Sequence, residues 1–318
     1  MRTDCHGDPI TVLISGTERK AFTMLGKQER VGHVNQLMFL VFVFYILVFQ
    51  PDLILHEITE LHPDEIFSFY FGKDYSIETL FIAPWTLGIP VNRPRKFRVM
   101  IRKARIVFCA SSQDYFDLFE RAVQMPTSSM LCATLLMVQE YMENKMTKKM
   151  RMQPSHEALL TPGQKGRLAD HRALTQGDAE LRENFVADIA GTSSMRKAQL
   201  FVPTLVQNSM MWFEAAGRKA LPKANLVFQG VPAIPGVAPP EFQCSWVELI
   251  GVLSGEGISD SDCRSLAGLA MHATVIGSLF LFAMLHIEFR DTSLRFHRVQ
   301  SAAFGFLADD EEQDVDIE

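Results

Sequence analysis

PDLILHEITELHPDE at Pro51–Glu65 and TLGIPVNRPRKFRVMIRKAR at Thr86–Arg105 form the stretch whose reading decides the fold. In the first piece Pro51 and Asp52 open an apolar run that closes on the carboxylate Glu57. That is the pattern of a buried strand with an acid at its C-terminal end. Pro63 then suits the first position of a helix running to about Tyr70. In the second piece Gly88-Ile89-Pro90 makes a tight turn that delivers Arg93 and Arg95. At positions i and i+2 of an extended segment both point to one side. From Lys96 to Arg102 the residues alternate: Phe97, Val99 and Ile101 share one face, Lys96, Arg98 and Arg102 the other. A carboxylate at a strand end and a paired-arginine arm suit the grip of a polar heterocycle beside a phosphate backbone.

Working outward, Ile10–Ser15 reads as a short buried strand ending at Gly16, followed by a loop and a long, mostly buried helix over Asn35–Gln50. Tyr75 begins another alternating strand. Strand–helix alternation at this spacing predicts an α/β chain with a partial Rossmann-like, doubly wound sheet. Right-handed crossovers would place Gly16 and Glu57 along one ligand-binding edge. Beyond Arg105 the chain turns Met-, Gln- and Lys-rich with helical spacing over Tyr115–Val123, Ser129–Met146 and Ala179–Ile189. This predicts a separate, smaller, mainly helical or irregular region. A Pro-rich loop starts at Val231, and a last helix is expected from Leu266 to about Ile287.

With 318 residues, 47% hydrophobic and 21% charged, the chain can bury one large core or two modest ones. Five scattered cysteines (Cys5, Cys109, Cys132, Cys244, Cys263) without a CxxC pair argue for a reducing compartment and against a metal site. No apolar leader stands in the first thirty residues, so a nuclear or cytoplasmic location is expected. The net charge of −6 is misleading: the last ten residues hold seven acids, which leaves the remainder at +1. Arg93–Arg105 meanwhile carries seven Lys/Arg in thirteen residues with no acid, an electrostatic footprint for phosphates. The bland alternative is a solvated strand face. Two apolar stretches raise a membrane question: Leu37–Phe49 is too short to span a bilayer, and Leu266–Leu285 is long enough. The polar His272, Thr274 and Ser278 in the second favour a core helix, with a membrane anchor as the competing reading.

In order along the chain, these motifs resemble the cytosine-5 DNA methyltransferase family. DPITVLISGTERKAFTMLGK is similar to that family's catalytic-loop segment, and PDLILHEIT to its segment ending in Glu-Asn-Val. LGIPVNRPRKF resembles its Gly-x-Pro-Gln-x-Arg-x-Arg segment. RKALPKANLVFQGVP, from Arg218, is similar to its Arg-x-Leu-Thr-Pro…Gln-Gly-Phe-Pro segment, and LAGLAMHATVIGSL to its closing helix. The resemblance implies that Glu57 holds N3 of a flipped cytosine, that Arg95 contacts O2, and that Arg93 supports both by pairing. It also implies S-adenosylmethionine as cofactor, with Gly268 and Met271 on the closing helix nearest to it, and double-stranded DNA as partner. Arg98, Arg102, Lys103 and Arg105 are the expected DNA contacts.

Several departures accompany the resemblance. Arg19 stands where the nucleophilic cysteine belongs, and a guanidinium stays protonated and cannot attack C6. Ile58, Thr59, Val91, Ala224 and Leu269 replace other motif residues. The family's first strands, with their glycine-rich cofactor loop, have no counterpart before Ile10. Gly255-Glu256-Gly257 does not follow a strand and reads as a loop. The expectation is a truncated or degenerate copy that does not methylate, completed by a second chain if at all. Its organisation would be a partial catalytic core over 1–105, a target-recognition-like region over 106–205, a return of the core over 206–305, and a disordered acidic tail over 306–318. A non-catalytic DNA-binding or methyltransferase-partner module is the competing function.

Overall fold

The computed structural model describes residues 9–17, 36–146, 155–190, 198–234 and 259–289. Cys5, Arg19, Cys244, Gly255–Gly257 and the acidic tail lie outside them.

The expected strand–helix series is present: β1 (Val12–Gly16), α1 (Gln36–Phe49), β2 (Leu53–Ile58), α2 (Asp64–Phe71), β3 (Tyr75–Ile82), β4 (Val91–Asn92) and β5 (Arg95–Arg102). The central sheet runs β1-β2-β5-β3. β1 and β2 are parallel with Gly16 opposite Glu57, so both close the same edge. β5 inserts antiparallel between β2 and β3, which makes the sheet mixed. A long apolar run identified β2 for a physical reason: every residue in it is buried, as a strand covered on both faces requires. Its start is pinned by Asp52, which accepts from Thr11 N (3.0 Å) and Thr11 Oγ1 (2.8 Å), while Tyr75 donates to Pro51 O at 2.9 Å.

Two apolar layers sandwich this sheet. On one face Phe39, Phe42, Val43 and Ile46 of α1 and Phe67 and Phe71 of α2 pack on Ile54, Ile58 and Met100. Fully burying one such side chain contributes about 2 kcal/mol. The expectation of a mostly buried α1 is corrected: only that stripe is covered, and Phe44 and Phe49 are 69% and 65% exposed. On the other face Leu53, Leu55, Phe97, Val99 and Ile101 meet helices from both sides of the central region.

The remaining elements are β6 (Ile106–Phe108), α3 (Ser112–Phe119), α4 (Leu135–Lys145), α5 (Pro162–Leu174), α6 (Ala179–Asn184), β7 (Val186–Asp188), β8 (Val202–Pro203), β9 (Met211–Phe213), β10 (Arg218–Lys219), α7 (Ala224–Val227), α8 (Asp260–Leu269), α9 (Ala273–Leu285) and β11 (Ile287–Phe289). Arg105 is no break in packing: β6 pairs with β11, and Tyr115 of α3 packs with Val275, Leu279 and Phe282 of α9 in the sheet's core. The helix expected over Ala179–Ile189 ends at Asn184, and β7 follows it into a small antiparallel sheet, β10-β9-β7. Trp212 and Phe213 lie buried at its centre. β4 leaves the main sheet to pair with β8, Val91 opposite Val202, so the chain changes sheets at Arg93-Pro94.

The single helix expected from Leu266 is corrected to two. α8 stops at Leu269 and α9 starts at Ala273, with Ala270–His272 extended between them. The stretch Asp260–Leu285 has the length and mean hydropathy (1.8) of a membrane span. Here, however, α9 alone is 13 residues long and buries Val275, Leu279, Phe282 and Ala283 on the sheet.

Candidate functional site

The switch of sheets at Arg93-Pro94 positions the candidate site. β4 carries the chain into one sheet and β5 takes it back into another, so Arg93 and Arg95 arrive over the end of β2. There Glu57 Oε1 lies 3.2 Å from Arg95 Nε and 3.6 Å from Arg93 Nη2. Arg93 is held from both sides, donating to Leu205 O at 3.3 Å and to Ala270 O at 2.9 Å. The second of these bonds uses the extended Ala270–His272 link, so the break between α8 and α9 is part of the site. Glu57 and Arg93 are 7% and 5% exposed, whereas the Arg95 side chain is 20% exposed and forms the mouth.

Burial pushes the Glu57 carboxyl above its usual range, and the two guanidinium groups pull it back only in part. Burial lowers Arg93 to about 10, with Arg95 adding to the effect and Glu57 opposing it. Next to them His272 is 2% exposed, and burial, then the Arg93 charge, hold its imidazole down to about 3. Among the described residues neither ring nitrogen of His272 has a hydrogen-bond partner, nor does either amide atom of the fully buried Gln229. The Gln229-Gly230 turn abuts this link, with Ala273 N donating to Gln229 O at 2.7 Å. Gly230 is at φ +73°, and a Cβ there would stand 2.9 Å from Thr274 Oγ1, so glycine is required. The sequence flagged Gln229-Gly230 only within a motif and His272 only as a polar residue in an apolar run. Their convergence is a tertiary fact.

The arrangement offers a carboxyl of raised proton affinity beside a guanidinium that reaches the surface. Such a pair can share a proton with a ring nitrogen and donate to an adjacent carbonyl oxygen of one planar heterocycle.

The other expected contacts lie elsewhere. Arg98 is corrected: it is fully buried on the opposite face of β5, ion-paired with Asp64 and stacked 3.9 Å from the centroid of Phe67. Alternation sends it there, and a cation so enclosed cannot face a phosphate. At about 3.3 Å per residue, Arg102 is roughly 23 Å along the strand from Arg95. It bonds Gln50, while Arg105 pairs with the buried Asp52 at 2.9 Å and Lys103 donates to Gly72 O at 2.6 Å. The basic stripe therefore divides between two ends of the sheet. Gly268 is corrected too: a Cβ there would stand 2.5 Å from Gln207 N and Val206 C, so this glycine packs helix against backbone. Met271 lies over the sheet edge, its Sδ 3.5 Å from a Cβ placed on Gly16. No group of three or more His, Cys, Asp or Glu suited to a metal occurs among the described residues.

No family model matches the chain, and no curated protein matches it in sequence. Among solved structures it is similar to the Dnmt2 methyltransferase of S. pombe, with 10% identity and a TM-score of 0.48 over 86% of this chain and 78% of that one. It is also similar to the Entamoeba histolytica methyltransferase EhMeth (12%, TM-score 0.46, 86% and 77%). A Spodoptera frugiperda DNMT2 variant is a third (12%, TM-score 0.37, 86% and 79%). At such identities and scores none of them assigns a family or a residue role.

Proposed function

We propose that the Glu57–Arg93–Arg95 cluster receives a pyrimidine base of DNA in a cytosine-5 DNA methyltransferase-like protein that does not itself transfer a methyl group. The observation that carries this reading is the 3.2 Å approach of Glu57 and Arg95 at the sheet edge, with Arg95 open to solvent. Burial suits the Glu57 carboxyl to share a proton with cytosine N3, and Arg95 can donate to O2. Arg93, tied to two carbonyls, fixes the Glu57 carboxylate in place. The ordered motif resemblance supports the same assignment. Catalytic silence follows from Arg19 at the nucleophile position, since arginine offers no lone pair at neutral pH.

S-adenosylmethionine, which the resemblance implies, does not fit the residues named for it. Gly268 is closed against backbone, and the Met271 side chain covers Gly16 where the sheet edge would have to stay open.

The test is binding of a DNA hairpin that presents an unpaired cytosine, against the same hairpin with thymine. Wild type is expected to prefer cytosine, and Arg95→Ala to lose roughly tenfold or more in affinity for it. Equal affinity of Arg95→Ala and wild type for the cytosine hairpin would sink the reading. Labelled S-adenosylmethionine should deliver no methyl group to either hairpin.

A further inference from the structure

A second basic cluster lies away from the sheet edge. Lys219, on β10, is 8% exposed, and among the described residues no carboxylate pairs with its Nζ directly, although the charge of Asp260 reaches it. Lysine is almost never buried so far without a counter-charge. Its ammonium stands 5.2 Å from the centroid of the Tyr141 ring, and that of Lys145 stands 5.7 Å from the same ring. Arg218, the preceding residue, donates to Leu131 O with one nitrogen (3.2 Å) and leaves the buried Nη1 unpartnered. Arg264, on α8, contributes a fourth cation, whose charge acts on both Lys219 and Tyr141.

Among the described residues one acid belongs to the cluster: Asp260, 3.1 Å from Lys145 Nζ, whose charge helps burial hold the Tyr141 phenol up at about 12. His156 adds no charge, because burial first and then Arg218 and Lys219 hold its imidazole down to about 4. Among the described residues these four cations therefore share one acid, which pairs with Lys145 and whose charge also reaches Lys219. In contrast, the cations of β5 almost all have one.

We propose that Lys219, over the Tyr141 ring, and the neighbouring Arg218 and Arg264 form a binding site for a phosphodiester group of a DNA backbone. A phosphate would add counter-charge to a cluster in which cations outnumber the acid. Its oxygens would accept from the Lys219 Nζ and from the guanidinium groups beside it. The site reads no base. It shares with the function proposed above only the identity of the polymer, and a duplex without cytosine separates the two.

The experiment is a salt series, over roughly 50 to 200 mM, of anisotropy isotherms with a fluorescein-labelled dA·dT duplex. Proteins compared are wild type, Lys219→Met, which keeps the apolar stem, and Arg264→Gln on the half-exposed helix face. Both variants are checked for native thermal unfolding. Each substitution should weaken binding several-fold and reduce the slope of log K against log salt by about 1. Wild-type affinity and slope in both variants overturn the proposal, as does a wild type that gives a flat isotherm at low salt. A third overturning result is a thermal shift of wild type by inorganic phosphate, lost in Lys219→Met, with duplex binding unaffected. That result would assign the site to a small free phosphate.

Discussion

The two basic regions of this protein use the same residue types to opposite ends. Along β5 and its flanks nearly every cation meets an acid. Arg93 and Arg95 meet Glu57, Lys96 and Arg98 meet Asp64, and Arg102 and Arg105 meet Asp52. Near Tyr141 the balance shifts: among the described residues one acid, Asp260, stands with the cations Lys145, Lys219, Arg218 and Arg264. A stretch of sequence rich in arginine thus became a cross-linked sheet, while cations scattered from Lys145 to Arg264 gathered into a cluster that Asp260 balances only in part. Density of charge along a chain therefore says little about which cations are free to meet a ligand. Pairing in three dimensions decides that.

The sharpest way to break this contrast is at Asp64. Asp64→Asn leaves the fully buried Arg98 without its acid and should cost on the order of 3 kcal/mol in urea unfolding. Replacing Arg98 by Met in the same chain should recover most of that loss, because the uncompensated buried charge disappears with it. An equal deficit in the double variant would show that Arg98 acts through packing on Phe67 and not through its charge.

His272, at the border of the paired region, gives the next largest effect. Its imidazole is held at about 3 against an ordinary 6.5, so between those values the unfolded chain binds a proton that the folded chain does not. Stability should be full above pH 6.5 and fall as pH drops below it, by about 1–2 kcal/mol by pH 5. His272→Phe should flatten that part of the profile; an unchanged slope would place the titrating group elsewhere.

Smaller still, and opposite in sign, is Lys219→Met. Removing this poorly matched cation from a mostly buried side chain should raise the unfolding free energy by about 1 kcal/mol, even as it weakens duplex binding. A loss of stability would mean that Lys219 is structurally matched after all. Arg102→Gln closes the series: this half-exposed cation sits 3.9 Å from Asp52, which Arg105 also serves, and its removal should change stability by less than about 0.5 kcal/mol.

Much of the central fold could be read from residue order. The buried run of β2, the alternation of β3 and β5 and the shared edge of Gly16 and Glu57 all appear as expected, because short-range periodicity follows from which face a strand buries. The meeting of Glu57 with Arg93 and Arg95 followed from the same logic of strand ends. Elsewhere local pattern failed for identifiable reasons. The apolar run of α1 suggested full burial, but one face of a helix is all that a sheet can cover. The apolar run from Leu266 suggested one helix, but Ala270 O bonds to Arg93, 177 positions away in the chain. Nothing local marks that interruption.

By itself, then, the sequence determined the strands, their facing residues and the acid at the closing end of β2, since those depend on spacings of two to four residues. Only the tertiary structure decided which charges are matched. Arg98 went to the half-exposed carboxylate of Asp64, Gly268 to a backbone contact, and Lys219 to an aromatic ring beside which one acid serves several cations. Electrostatic energy depends on distance and burial in space, and neither is encoded in separation along the chain.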